Sequence, residues 1–146
     1  MKADKDAYVV RDMDACLPPL DRPQLRIALT AMCRKLNLDG LPPELRLCSD
    51  ATIERYNREF LGGTGPTNIL SFPSDNPTLP GLLLLSCPTC RREAMLYGQD
   101  IFEHCLRLLA HGLAHLADMD HGPEMDMNSA LAFTAAMSDL GMMEAN

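Results

Sequence analysis

The sequence predicts an α+β fold: a single domain over residues 1–146, with a small mixed four-stranded sheet and flanking helices. Three observations lead there. The chain of 146 residues is the length of one domain with a buried core. Short apolar runs with strand character alternate with longer stretches of helical periodicity, which is how strands and helices interleave around a small sheet. Finally, 47% hydrophobic and 23% charged residues is a globular composition, with no repeat, low-complexity tract or linker to divide it.

Tyr8-Val9-Val10 opens with a weak strand signal. Asp21 precedes Pro23 at a helix start, and Gln24 occupies the capping-box position. The apolar stripe Leu25, Leu29, Met32 and Leu36 marks the first helix, which is expected to end at Gly40. Leu45 and Leu47 alternate with polar neighbours in a strand over Glu44–Cys48. Ser49 or Asp50 caps a second helix whose one side carries Ile53, Tyr56, Asn57 and Phe60, and Gly62-Gly-Thr-Gly-Pro66 breaks it. Residues 67–72 form a strand closed by Pro73, a Pro-containing polar loop follows, and residues 82–85 form a short buried strand. One long helix is expected over residues 89–116, with Ile101, Cys105, Leu108 and Gly112 on one stripe. A last amphipathic helix covers 124–140 and stops at Gly141.

Several function classes are disfavoured by composition. The longest leucine run, residues 82–85, is far short of a membrane span, so no membrane partner is expected. The charged amino terminus lacks the apolar stretch of a secretory signal, so a cytoplasmic location is expected. Six cysteines in a chain of this kind are expected to be reduced. Cys16, Cys33, Cys48 and Cys105 read as small core residues. Cys87-Pro-Thr-Cys90 is the exception: it has the spacing of a redox pair or half a metal site, but no second CxxC and no thioredoxin-like order of elements accompany it, so a metal or redox role is disfavoured. A net charge of −7 argues against broad nucleic-acid binding, leaving a local basic groove from Arg55, Arg58, Arg91, Arg92 and Arg107 as the route to a nucleic acid. No DNA partner is expected.

The chemistry concentrates in His111-Gly-Leu-Ala-His115-Leu-Ala-Asp-Met-Asp-His121. Residues four apart share a helix face, so His111 and His115 can point at one spot. His121 joins them only if the chain bends after His115, and Asp118 stands where that bend is expected. Three imidazoles with a fourth position for water are the ligand set of a catalytic zinc ion, placed here at the end of the long helix. His104 is on the same face, about 10 Å before His111. That is too far for the same metal, which leaves a structural role or a distant substrate contact.

The 0, 4, 10 spacing is also that of metzincin proteases, HExxHxxGxxH, in which the Glu after the first His is the general base. Gly112 occupies that position and cannot take a proton. Two segments together resemble a different family. The histidine segment is similar to the HGxLHLxGYDH motif of the YbeY family, metal-dependent endoribonucleases of ribosomal RNA maturation. Pro66-Thr-Asn-Ile-Leu-Ser-Phe-Pro73 resembles that family's PTNVLSFP strand, some forty residues upstream. The first helices, Asn57 and the closing Leu140-Gly141 fit as well, so the resemblance covers nearly the whole chain. It departs where the family carries Arg after the aromatic residue ending its second helix: here Leu61 follows Phe60. Leu82 stands in place of a family acid, and Ala114, Asp118 and Met119 replace the motif's Leu, Gly and Tyr.

The resemblance implies His111, His115 and His121 as ligands of one Zn²⁺, with Asn68 and Ser71 on the strand beside it. Asn68 is assigned to substrate binding. Ser71, Asp120 and Arg58 are the candidates for catalysis: Asp120 to orient a ligand or handle protons, Arg58 to stand in for the missing Arg toward a phosphate. Each has a plainer alternative: a strand hydroxyl bonded to backbone, a turn residue, and a solvated surface charge. The implied function is zinc-dependent cleavage of single-stranded or precursor ribosomal RNA, with the small ribosomal subunit as partner. Two alternatives stand beside it: a catalytically weakened zinc-stabilised module that binds ribosomal components, and a zinc peptidase using Asp118 or Asp120 as base.

Overall fold

A computed structural model describes residues 8–142 apart from 14, 16, 39, 41, 77, 79, 80 and 118–122. In chain order the described elements are β1 (Tyr8–Arg11), α1 (Arg22–Lys35), β2 (Glu44–Cys48), α2 (Asp50–Leu61), β3 (Ile69–Phe72), β4 (Leu82–Ser86), α3 (Cys87–Leu96), α4 (Ile101–Leu116) and α5 (Pro123–Asp139). The strands form one sheet in the order β1-β2-β4-β3. The β1–β2 and β2–β4 pairs are parallel and β3–β4 is antiparallel, so the sheet is mixed.

Each face of the sheet follows from strand alternation. Leu45 and Leu47 of β2 and Leu83 and Leu85 of β4 face α1, α4 and α5, where Leu25, Leu29, Met32, Leu106, Leu109 and Leu113 complete the main core. Leu70 and Leu84 point the other way, onto Ile53 of α2, with Tyr56 and Phe72 beside them. The register Ile69↔Leu85 and Ser71↔Leu83 therefore puts Ile69 and Ser71 beneath α4. Burying one Leu of this core contributes about 2 kcal/mol.

The helix ends are specified by short polar signals. Asp21 accepts from the Gln24 amide at 2.8 Å while the Gln24 side chain accepts from the Asp21 amide at 2.9 Å, the reciprocal capping box expected. Ser49, rather than Asp50, caps α2, and Gly62 closes it in left-handed conformation with φ 68°. The first helix ends before Gly40: Lys35 is its last residue, and Asn37 turns the chain at φ 61° while Leu38 N–H returns to the Cys33 carbonyl at 2.7 Å. Asn is among the side chains best suited to that backbone.

The single long helix expected over 89–116 is two helices. Gly98, at φ 62°, ends α3, and Asp100 starts α4 by accepting from the amides of Phe102 at 2.9 Å and Glu103 at 3.1 Å. A left-handed glycine followed by an N-cap aspartate outweighs the apolar periodicity running through them. The strand expected at 67–72 is shorter, beginning at Ile69. Among the described residues no helix is long and apolar enough to cross a membrane.

Candidate functional site

The site forms where the last turns of α4 pass over β3. His111 and His115 project from one face of α4, four residues apart, and their Nε2 atoms lie 3.2 Å from each other with the rings edge to face. Both are half-buried. They share a cavity of about 370 Å³ with Asn68, Ile69, Leu70, Ser71, Pro73 and Leu61. Two nitrogens each about 2.05 Å from a tetrahedral zinc lie about 3.3 Å apart, so the observed separation suits two ligands of one ion as well as a hydrogen bond between the rings. Among the described residues no group of three or more His, Cys, Asp or Glu side chains forms a metal cluster. The third expected ligand, His121, lies outside the described residues, as do Asp118 and Asp120.

Glycine between the histidines is a packing requirement. A Cβ at Gly112 would come 2.7 Å from Ile69 Cδ1 and 3.1 Å from Leu83 Cδ2, because this face of α4 lies directly on the sheet. The position held by the protease base in the metzincin pattern therefore lies against Ile69 and Leu83 here. Close approach also lets the Ser71 hydroxyl donate to the Gly112 carbonyl at 2.8 Å, tying β3 to the helix turn that carries both imidazoles. Ser71 is thus bonded to backbone and lines the cavity at once.

Asn68 sits just before β3, its carbonyl accepting from Ser86 N–H at 2.9 Å. Its side-chain Oδ1 accepts from Ile69 N–H at 2.7 Å, and its Nδ2 donates to both Glu93 oxygens, at 3.2 and 3.3 Å. His104 Nε2 meets the same carboxylate at 3.0 Å. Sequence reasoning left Glu93 unremarked and saw His104 only as structural or distant. Their connection spans 25 and 11 residues and leaves no local pattern to read.

Arg58 is 62% exposed at its side chain, 3.9 Å from Glu54 one turn earlier, and is not among the described residues lining the cavity. Leu61, 56% exposed, does line it. Around Leu61 the end of α2 carries an aromatic group: Phe60 lies 5.5 Å from Tyr56 and 6.0 Å from Phe72, ring centre to ring centre. Cys87 and Cys90 are fully buried in the main core. Hydrogen bonding to Cys105 lowers the Cys90 thiol pKa, and the same bond, with burial, pushes Cys105 well up.

Comparison with known proteins agrees with this architecture. The profile of the family described as Endoribonuclease YbeY matches residues 24–135. The chain belongs to the YbeY family. A relative from Oleidesulfovibrio alaskensis named Endoribonuclease YbeY is 44% identical over 132 residues, covering 74% of this chain and 78% of that protein. One of the same name from Nitratidesulfovibrio vulgaris is 46% identical over 129 residues, covering 74% and 80%. A solution structure of a Thermotoga maritima protein superposes with a TM-score of 0.61 at 18% identity, over 91% of this chain and 90% of that one, which shows the shared fold.

Proposed function

We propose that this chain is an endoribonuclease that cuts single-stranded RNA during ribosomal RNA processing, using a zinc ion. The observation that carries the reading is the 3.2 Å separation of the His111 and His115 Nε2 atoms on the wall of a cavity, in a chain of the YbeY family. His111, His115 and His121 would hold the ion, with Asp120 beside the third ligand to orient it. Zinc in such a site supplies a Lewis acid that generates hydroxide near neutral pH and polarises a phosphoryl oxygen.

The chain's own residues do the positioning. Gly112 lets α4 lie close to β3, and Ser71 fixes the helix turn through the Gly112 carbonyl. Asn68, on the cavity wall, would offer a side-chain N–H to an oxygen of the RNA backbone. Arg58 is directed to Glu54 in this arrangement, so stabilising negative charge on the phosphoryl oxygens would fall to the ion, with Asn68 contributing a hydrogen bond. The RNA would come from the precursor of the small ribosomal subunit, the partner that fits this activity.

A second reading follows from Leu61, an apolar side chain on the cavity wall where the family resemblance implies Arg. It makes the chain a zinc-holding module that binds ribosomal components without cutting. Cleavage of a labelled single-stranded RNA by zinc-loaded protein, His115→Ala and Leu61→Arg decides between them. Cleavage by the native chain, lost in His115→Ala together with zinc, is the expected result. Cleavage only in Leu61→Arg favours the binding module, and silence in all three removes the nuclease reading for that RNA.

A further inference from the structure

The polar groups behind Asn68 form a chain that runs from the cavity into the protein: Asn68, then Glu93 on α3, then His104 on α4. The Asn68 amide is held at both ends. Ile69 N–H can only donate, so the group facing it is the carbonyl Oδ1. The Glu93 carboxylate can only accept, so the group facing it is the amide nitrogen. These two constraints agree, and they admit a single orientation of the amide. Both Glu93 oxygens lie on the same side of Nδ2, so they share one of its N–H bonds, leaving the other directed elsewhere. Asn68 lines the cavity beside His111 and His115.

His104 holds the far side of the carboxylate. Its Nε2, 3.0 Å from Glu93 Oε1, must carry a proton to bond a group that only accepts. The imidazole is largely buried, its side chain 10% exposed, with the Tyr97 ring set edge to face at 6.3 Å. Glu93 is itself 22% exposed, so two donors, one from the residue before β3 and one from α4, converge on a partly dry carboxylate. Such bonds are stronger than those between neutral groups.

We infer that Glu93, clamped by His104, is a positioning residue: it holds the Asn68 amide with an N–H toward the cavity, so the site selects an oxygen acceptor of the RNA backbone. The inference rests on the nuclease reading for its substrate, but its geometric core stands apart from activity. Neither Glu93 nor His104 lines the cavity, and neither is given contact with substrate.

The first test is nuclear magnetic resonance of the full chain, labelled with nitrogen-15, without RNA. One proton of the Asn68 side-chain amide should resonate downfield of its counterpart in a solvated asparagine and be protected from solvent exchange. Both protons at the positions of a solvated asparagine, exchanging as fast, would overturn the inference whatever the protein cleaves. The second test uses Glu93→Met, which keeps bulk and removes the acceptor, and Glu93→Gln, which retains one acceptor oxygen while His104 changes tautomer to accommodate it. With zinc-loaded protein and a labelled single-stranded RNA, Glu93→Met should raise KM about tenfold with kcat and zinc content little changed. Glu93→Gln should restore KM to within about threefold of the native chain. Equal KM in all three, or loss in kcat alone, would overturn the positioning role. If the native chain cuts no RNA, the nuclease reading fails while the resonance measurement still decides the orientation of Asn68.

Discussion

Two polar clusters sit at opposite uses of the same architecture, and they differ in what their polar atoms face. At the start of α2, the Asp50 carboxylate accepts from Ser86 Oγ at 2.6 Å, Thr89 Oγ1 at 2.7 Å and Arg92 Nη2 at 2.7 Å. One side chain thereby joins the starts of α2 and α3 to the end of β4. At the end of α4, His111 and His115 meet each other at 3.2 Å on the wall of a cavity of about 370 Å³. In the first cluster the protein supplies a complementary donor to each carboxylate oxygen. In the second, two side chains of the same kind converge beside open space, where the zinc proposed above would be held. A closed set of partners marks a joint of the fold, and convergence of like ligands on a cavity marks a site.

The sharpest way to break this contrast is to install the protease base. Gly112→Glu completes an HExxH sequence but drives a carboxylate against Ile69 and Leu83, where even a Cβ is crowded. The expected outcome is destabilisation by about 4 kcal/mol, read from urea unfolding, and no peptidase activity. A stable variant that cuts protein would show that this helix face does open to substrate. Next in size, Asp50→Ala removes three bonds from one joint and should cost about 2 kcal/mol in the same assay, while the variant still retains zinc. Loss of zinc from folded Asp50→Ala would mean the two clusters are coupled.

The smallest effect is a dependence on pH. Partial burial tends to raise the Asp50 pKa, but hydrogen bonds from Ser86, Thr89 and Arg92 outweigh it and the value is lowered from 3.8. A carboxyl whose folded pKa is depressed contributes stability that is complete above its unfolded value and is lost as pH falls through the folded one. Native protein should therefore weaken progressively below about pH 4, and Asp50→Asn should show a shallower acid dependence, by about 1 kcal/mol or less after solvent screening. Identical acid profiles would remove Asp50 from the account of acid stability.

The same contrast explains what was legible in the sequence. Features written within a few residues were readable: the Asp21–Gln24 capping box, the alternating leucines of β2, and two histidines at helical spacing. The division of α3 from α4 was written too, in Gly98 and Asp100, but the apolar stripe on either side masked it. Ending α1 at Gly40 gave glycine precedence over Asn37, although asparagine also adopts left-handed backbone. Joints made across the fold were silent. Asp50 meets Ser86 and Thr89 over 36 and 39 residues, and Asn68 meets Glu93 over 25, distances at which no periodicity operates. His111 and His115 stood out because a helix brings them together, whereas the residues arranged around them depend on sheet register.

The placement of β3 has one more consequence. Among the described residues it lies at the rim of the sheet, paired with β4 alone, and a rim of this kind invites another chain to add a strand. Here the invitation is brief. The strand is four residues long, with Pro73 directly after it and Pro66 three residues before it, and proline offers no N–H for a neighbouring strand to bond. Extended polypeptide finds too short a stretch of main chain to zip against, which guards the chain against stacking rim to rim. The strand that borders the cavity is thus kept from polymerising with its own kind.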